Sequence, residues 1–137
     1  MKGLILLANH FEDVEAICTI DMLRRAKITI DLVSVTNEKQ LITQSNICLF
    51  AEKVIEEVNV EEYDFLVLPG GKAIFETHLT SDVTKKVVDF FMNQNKLVCA
   101  ICAAPQILGH KGLLDGKKAI AYPGFESELK GAVISEE

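Results

Sequence analysis

Lys96-Leu97-Val98-Cys99-Ala100-Ile101-Cys102-Ala103-Ala104-Pro105 carries the most pointed chemical pattern in this 137-residue chain. It reads as an apolar strand that runs without a polar break into a cysteine, then into small residues and a proline that suit a helix's first turn. Cys102 would stand at that strand-to-helix elbow. A thiol there meets unpaired backbone N–H groups and the positive end of the macrodipole, which favour thiolate and lower the pKa from about 8.5 towards neutrality or below. Cys102 is therefore a candidate nucleophile, the sulfur analogue of a serine nucleophile elbow. Ala103 and Ala104 leave room for a substrate. The same residues also fit a buried cysteine packing as a small hydrophobe, and the stretch alone leaves both readings open.

Cys99 to Cys102 is formally a C-x-x-C. In a redox pair both cysteines belong to a helix start, whereas Cys99 falls inside an apolar strand, where its side chain should point into packing. A zinc site needs further paired ligands. Cys18, Cys48 and the three histidines are scattered, so neither metal nor cofactor is expected.

The chain length is enough for one domain with a real core and too short for two ordinary ones. Nearly half the residues are hydrophobic (49%) and the net charge is −6, which marks a globular chain and disfavours nucleic acid or anionic membrane surfaces as partners. No apolar run reaches the roughly 18 residues of a membrane span. Met1 to Ala8 is followed by Asn9-His10-Phe11-Glu12-Asp13 and not by a small-residue cleavage site, so it reads as a strand. Reduced thiols in a cytoplasmic compartment are the expectation.

Continuously apolar Leu4–Ala8 and Phe65–Leu68 read as strands buried on both faces of a parallel sheet, and Ile28–Val35 as another. Glu12–Ala26 carries Val14, Ile17, Cys18 and Met22 at helical spacing, with acids in the first turn and Arg24-Arg25 in the last. Ser81 to about Gln94 is a second helix, capped by Thr80 or Ser81. Leu41-Ile42 and Ile47–Phe50 suggest a side hairpin, and Val54–Val58 is too short to assign. A short helix runs through Ile107 and Leu108 towards Leu113-Leu114, and Ala119–Tyr122 is a last strand before Pro123-Gly124. The alternation predicts a doubly wound α/β sandwich with its site at the carboxyl edge of the sheet. Glu15 would lie near that edge, though the residues alone favour an acid that merely complements the helix dipole like Glu12 and Asp13; Gly70 and Gly71 fit either an ordinary tight turn or a place where backbone approaches a ligand closely. Of His10, His78 and His110, all expected at solvated loops or helix ends, only His10 is near.

Phe11-Glu12-Asp13-Val14-Glu15, Tyr63–Gly71, Ala100–Pro105 and Tyr122-Pro123-Gly124-Phe125-Glu126 together resemble the ThiJ/PfpI superfamily, and within it the DJ-1 branch. The resemblance runs along essentially the whole chain. It implies a flavodoxin-like three-layer sandwich with a mostly parallel sheet, usually a homodimer, with Cys102 as the elbow cysteine. It implies that Glu15 is a protonated carboxyl against the sulfur, its pKa raised by charge repulsion and desolvation. It assigns oxyanion-binding amides to Gly71 and Ala103, beside Gly70, with His10, Tyr122 and Pro123 as possible lining. Two departures stand out. Ala103 replaces the histidine that follows the nucleophile in protease-like members, which removes a peptidase's base. Tyr122 stands where DJ-1 members often carry a histidine near the cysteine. The family also continues past Glu137 with a strand, a site loop and a long helix over one sheet face. Residues 1–137 are read as a single domain apparently lacking that part, with an apolar sheet face left open.

The resemblance implies glyoxalase or deglycase-type chemistry on small reactive carbonyls or glycated proteins, with Cys102 adding to the aldehyde and Glu15 moving protons. The alternative is a redox-sensing stress protein or chaperone working through oxidation of Cys102. A protease, amidase or thiazole-monophosphate role ranks last.

Overall fold

The computed structural model describes residues 1–136; Glu137, the final residue of the expected domain, lies outside them. Along the chain come β1 (Lys2–Leu7), α1 (Asp13–Arg25), β2 (Thr29–Ser34), a hairpin of β3 (Gln40–Ile42) and β4 (Cys48–Phe50), then β5 (Lys53–Val54) and β6 (Phe65–Leu68). After these follow α2 (Asp82–Asn93), β7 (Leu97–Ala100), α3 (Pro105–His110), β8 (Lys118–Ala119) and β9 (Val133–Ile134).

The apolar runs became the sheet's interior. β5, β2, β1, β6 and β7 lie side by side in that order, every pair parallel. Leu4, Ile5, Leu6 and Leu7 of β1 have no exposed surface, as expected of a central strand covered on both faces. Setting β5 aside, the order is the flavodoxin-like one, and its direction of winding reverses between β1 and β6. Brackets of helix hold it: α1 buries Ala16 and Ile20, and α2 buries Val87, Val88 and Phe91. Each of those larger side chains contributes about 1.5–3 kcal/mol by leaving water. Ser81 Oγ accepts the Thr84 N–H and so is the α2 cap, while Thr80 lies outside the helix.

Several expectations are corrected. The Val54 region supplies β5, an edge strand beside β2, before turning at Ile55–Glu57. The strand expected over Ala119–Tyr122 shrinks to Lys118–Ala119, which pairs with β9 in a separate small sheet. The helix expected to run towards Leu114 stops at His110, and Gly112 follows with φ 72°. Cys99 is exposed, not packed. It lines an open apolar cavity of about 350 Å³ with Leu23, Phe65, Val67, Leu97 and Ile101. The physical reason is that Leu97 and Cys99 alternate onto the face of β7 that is left exposed among the described residues.

His78 is a further correction, because it is buried. It ends a π-helical turn, Ile74–His78, and its Nδ1 lies 2.8 Å from Thr84 Oγ1 in the first turn of α2. Burial pushes its pKa down from the ordinary 6.5 to about 4. An unfolded chain binds that proton first as pH falls, so the native state loses stability from about pH 7 down towards 4. The urea midpoint is expected to drop by the equivalent of roughly 2 kcal/mol between pH 7.5 and 5, from a shift of this size. His78→Asn should be less stable at pH 7.5 and flatter over the same range. Equal slopes in the two proteins would show that His78 does not govern this window.

Candidate active site

Three chain turns at the carboxyl edge of the sheet converge between β1 and β6. The first follows β1, where Glu12 caps α1 with its Oε2 accepting the Glu15 N–H at 2.8 Å. That cap fixes Glu15 in the opening turn of α1, facing the sheet edge. The second follows β6. Gly70 donates its N–H to Glu15 Oε2 at 2.8 Å, and Gly71 adopts φ 95°. A Cβ on Gly71 would stand 2.5 Å from the Glu12 nitrogen and 2.7 Å from the His10 carbonyl oxygen, so both conformation and space call for glycine here.

The third turn follows β7. Cys102 has φ 62°, a left-handed conformation that is uncommon for a residue with a Cβ and marks a constrained position. The turn is pinned by Ile101 N–H to the Leu68 carbonyl (3.3 Å), Ala104 N–H to the Ile101 carbonyl (3.0 Å) and Tyr122 N–H to the Cys102 carbonyl (2.8 Å). The sulfur then lies against Gly70. A Cβ there would be 2.7 Å from Cys102 Cβ, 3.1 Å from its Sγ and 2.8 Å from Glu15 Oε2. Gly70 is thus the spacer that lets carboxyl and thiol meet, and its own N–H is committed to Glu15.

Burial pushes the Cys102 thiol up, and the hydrogen-bonded, charged Glu15 carboxylate pushes it further. The backbone N–H groups of Ala103 and Gly71 donate to the sulfur and pull the other way. The expectation of a lowered pKa from position alone is therefore corrected. α3 begins at Pro105, three residues beyond Cys102, while the Glu15 carboxylate is in direct contact.

Above the pair opens a cleft of about 390 Å³ lined by Glu12, Glu15, Gln44, Gly71, Phe75, Cys102, Ala103, Tyr122 and Phe125. One wall is aromatic: the Phe75 and Phe125 rings are 5.2 Å apart and Tyr122 and Phe125 6.1 Å apart. Glu15, Gly70, Gly71, Cys102 and Ala103 are brought together. Tyr122 joins them at the rim. His10 is not among the lining residues; its Nδ1 pairs with Glu76 Oε2 at 2.6 Å. Pro123 is exposed on the following loop and likewise lies off the cleft. Among the described residues no group of three or more His, Cys, Asp or Glu side chains is set to hold a metal ion.

Sequence reasoning missed four lining residues. Glu12 was legible only as a helix-start acid. Gln44 arrives from the tip of the hairpin, its Oε1 accepting the Lys72 N–H at 2.9 Å. Phe75 comes from the π-helical turn, which has no periodic signature, and Phe125 from a turn held by its N–H to the Tyr122 carbonyl (3.1 Å). A phenylalanine one residue past a Pro-Gly turn was the one available hint.

Residues 1–137 match the model of the DJ-1/PfpI family. The chain is 33% identical to protein DJ-1 homolog B of Arabidopsis thaliana over 127 residues, covering 92% of this chain and 29% of that protein. It is 35% identical to a deglycase of Pyrococcus horikoshii over 135 residues, covering 98% of this chain and 80% of the relative. The solved structure of oxidized Toxoplasma gondii DJ-1 superposes with TM-score 0.86 at 36% identity, over 93% of this chain and 70% of that one. Drosophila melanogaster DJ-1beta superposes with TM-score 0.89 at 26% identity, over 99% and 76%.

The spacer can be tested directly. Gly70→Ala is expected to fold with a modestly lowered melting temperature and to slow Cys102 chemistry about 100-fold, the scale of an ångström's misplacement of reacting groups. Iodoacetamide labelling of Cys102, followed by mass spectrometry of its peptide, reads the thiol separately from turnover. A variant with unchanged labelling and turnover would remove Gly70 from this role.

Proposed function

Because this chain belongs to the DJ-1/PfpI family, we propose that it performs cysteine-dependent glyoxalase or deglycase-type chemistry on small reactive carbonyl compounds. The observation that carries the reading is the Cys102–Glu15 contact at the floor of an open cleft, with the Gly71 and Ala103 N–H groups directed at the sulfur. The deglycase name of the Pyrococcus horikoshii relative supports the same class of reaction.

Taking methylglyoxal as the simplest substrate, the thiolate of Cys102 adds to the aldehyde carbon, and the carbonyl oxygen takes the proton held by Glu15 to give a hemithioacetal. Donors placed around the sulfur can serve the neighbouring oxyanion as it forms. Glu15, now a carboxylate, removes the proton from the thioacetal carbon and delivers it to the adjacent carbon through an enediol. The product is a thioester. Water cleaves it to lactic acid and the free thiol, so one methylglyoxal and one water yield one lactate and one proton. For a glycated amine the same addition precedes loss of the amine.

Ala103, whose methyl group is buried, supplies no base beside the nucleophile, and none of the described lining residues is a histidine. That counts against the peptidase reading. A redox-sensing role for the same thiol draws support from the partial exposure of Cys102. Two peroxide molecules would each transfer one oxygen to sulfur and leave as water, giving a sulfinic acid.

The test is consumption of methylglyoxal with lactate formation by the purified protein, beside Cys102→Ser and Glu15→Gln. Wild-type turnover is expected, with losses of at least 1,000-fold for Cys102→Ser and 100-fold for Glu15→Gln, the scale of a nucleophile and a proton-transfer group. No turnover in the folded wild type, with a peroxide-dependent gain of two oxygens at Cys102, would transfer the assignment to the redox role.

A further inference from the structure

Away from the Cys102 cleft, a second cavity of about 190 Å³ lies where the π-helical turn, α2 and α3 meet, lined by His78, Leu79, Lys85, Ile107, His110 and Lys111. No residue lines both spaces. Four of the six lining side chains carry nitrogen donors, and none carries a carboxylate. The proposed reaction uses none of them.

His78 is the deepest of the four, with 1% of its surface exposed. Its Nδ1 is engaged by Thr84 Oγ1 at 2.8 Å, and its Nε2 has no partner among the described residues. Yet no fully buried side-chain nitrogen or oxygen among them is left unpaired, so Nε2 keeps what surface the ring retains and faces the cavity. When the Thr84 hydroxyl donates to Nδ1, the neutral ring presents Nε2–H there. A desolvated donor without an acceptor is costly, and a ligand that brings an acceptor removes that cost.

The other three donors come from α2 and from the end of α3. Lys85 leans loosely on Asp82, its Nζ 4.0 Å from Oδ1. Lys111 is held by Asp89 at 2.9 Å. Each ammonium has three hydrogens to give. His110 Nε2 pairs with Glu128 at 2.6 Å, which leaves its Nδ1. Asp82, Asp89 and Glu128 therefore hold the cations from outside, and none of them lines the cavity. Four donors from three segments outnumber the two oxygens of a carboxylate and match the tetrahedral oxygens of a phosphate.

We infer that this cavity binds a phosphate group, as the free ion or as the phosphoryl end of a small monoester, with His78 Nε2 at its floor and Lys85, His110 and Lys111 around it. The volume holds such a group together with a few waters. Bound there, the phosphate would tie the π-helical turn, which also carries Phe75 to the other cleft, to α2 and α3. The site is independent of the proposed reaction.

The test is a titration with inorganic phosphate at constant ionic strength, followed by NMR of the His78 imidazole. Saturable shifts are expected with a Kd of about 1 mM, the affinity of two or three charge-assisted hydrogen bonds. The His78 titration midpoint, about 4 without ligand, should move up in phosphate, because an anion favours the imidazolium. Lys85→Gln and Lys111→Gln spare the His78–Thr84 bond and should each weaken binding about tenfold, the scale of one charge-assisted bond. Glycerol 3-phosphate is titrated in parallel. Tighter binding than inorganic phosphate assigns the site to a phosphomonoester, and equal or weaker binding assigns it to the free ion. The inference is overturned if neither compound moves His78, if the shifts centre instead on the Gly71 and Ala103 amides, or if both lysine substitutions leave Kd unchanged.

Discussion

The missing Cβ at Gly70 is the constraint on which the site depends. Carboxyl and thiol approach the same backbone atom from two elements that are 87 positions apart in the chain, and only a hydrogen on that Cα leaves room for both. The Gly70 N–H adds a donor to Glu15 at 2.8 Å. One residue therefore sets both the separation of the pair and the orientation of its acid. Its neighbour Gly71 lets the chain turn with φ 95° against the backbone of His10 and Glu12.

Such a contact needs a rigid frame, and the parallel sheet supplies it. β1 pairs with both β2 and β6, so it is the strand from which the two halves of the winding depart. The loops after β1 and β6 diverge to opposite faces at that point and leave a crevice between them. β7 lies next to β6 in register Leu68 with Ala100, which brings the following turn level with Pro69 and Gly70. The left-handed backbone of Cys102 persists because three hydrogen bonds and the packed Ala103 and Ala104 hold it.

Electrostatics at this point are decided by competition. Position near a helix start favours thiolate, yet burial and the Glu15 carboxylate act over shorter distances and prevail. A carboxyl in contact with a thiol suits a reaction in which a nucleophile must be freed and a proton returned within one cycle.

The sequence by itself determined the layered architecture, because apolar runs such as Leu4–Leu7 and Phe65–Leu68 must be buried on both faces and amphipathic segments must cover them. It also pointed to the elbow at Cys102, since strand, cysteine, small residues and proline are local signals. What it left undetermined was decided by contacts between distant segments. Glu15 was one acid among several until Gly70 met it. Cys99 read as packed because local pattern cannot say which face of β7 is left uncovered, and His78 read as solvated because nothing local announces its burial against Thr84. Phe75 and Gln44 reach the cleft from a π-helical turn and a hairpin tip, whose paths are set by tertiary hydrogen bonds and not by periodicity. Local physics writes the elements; only the packing of one element on another fixes separations of a few ångströms, and chemistry is decided at that scale.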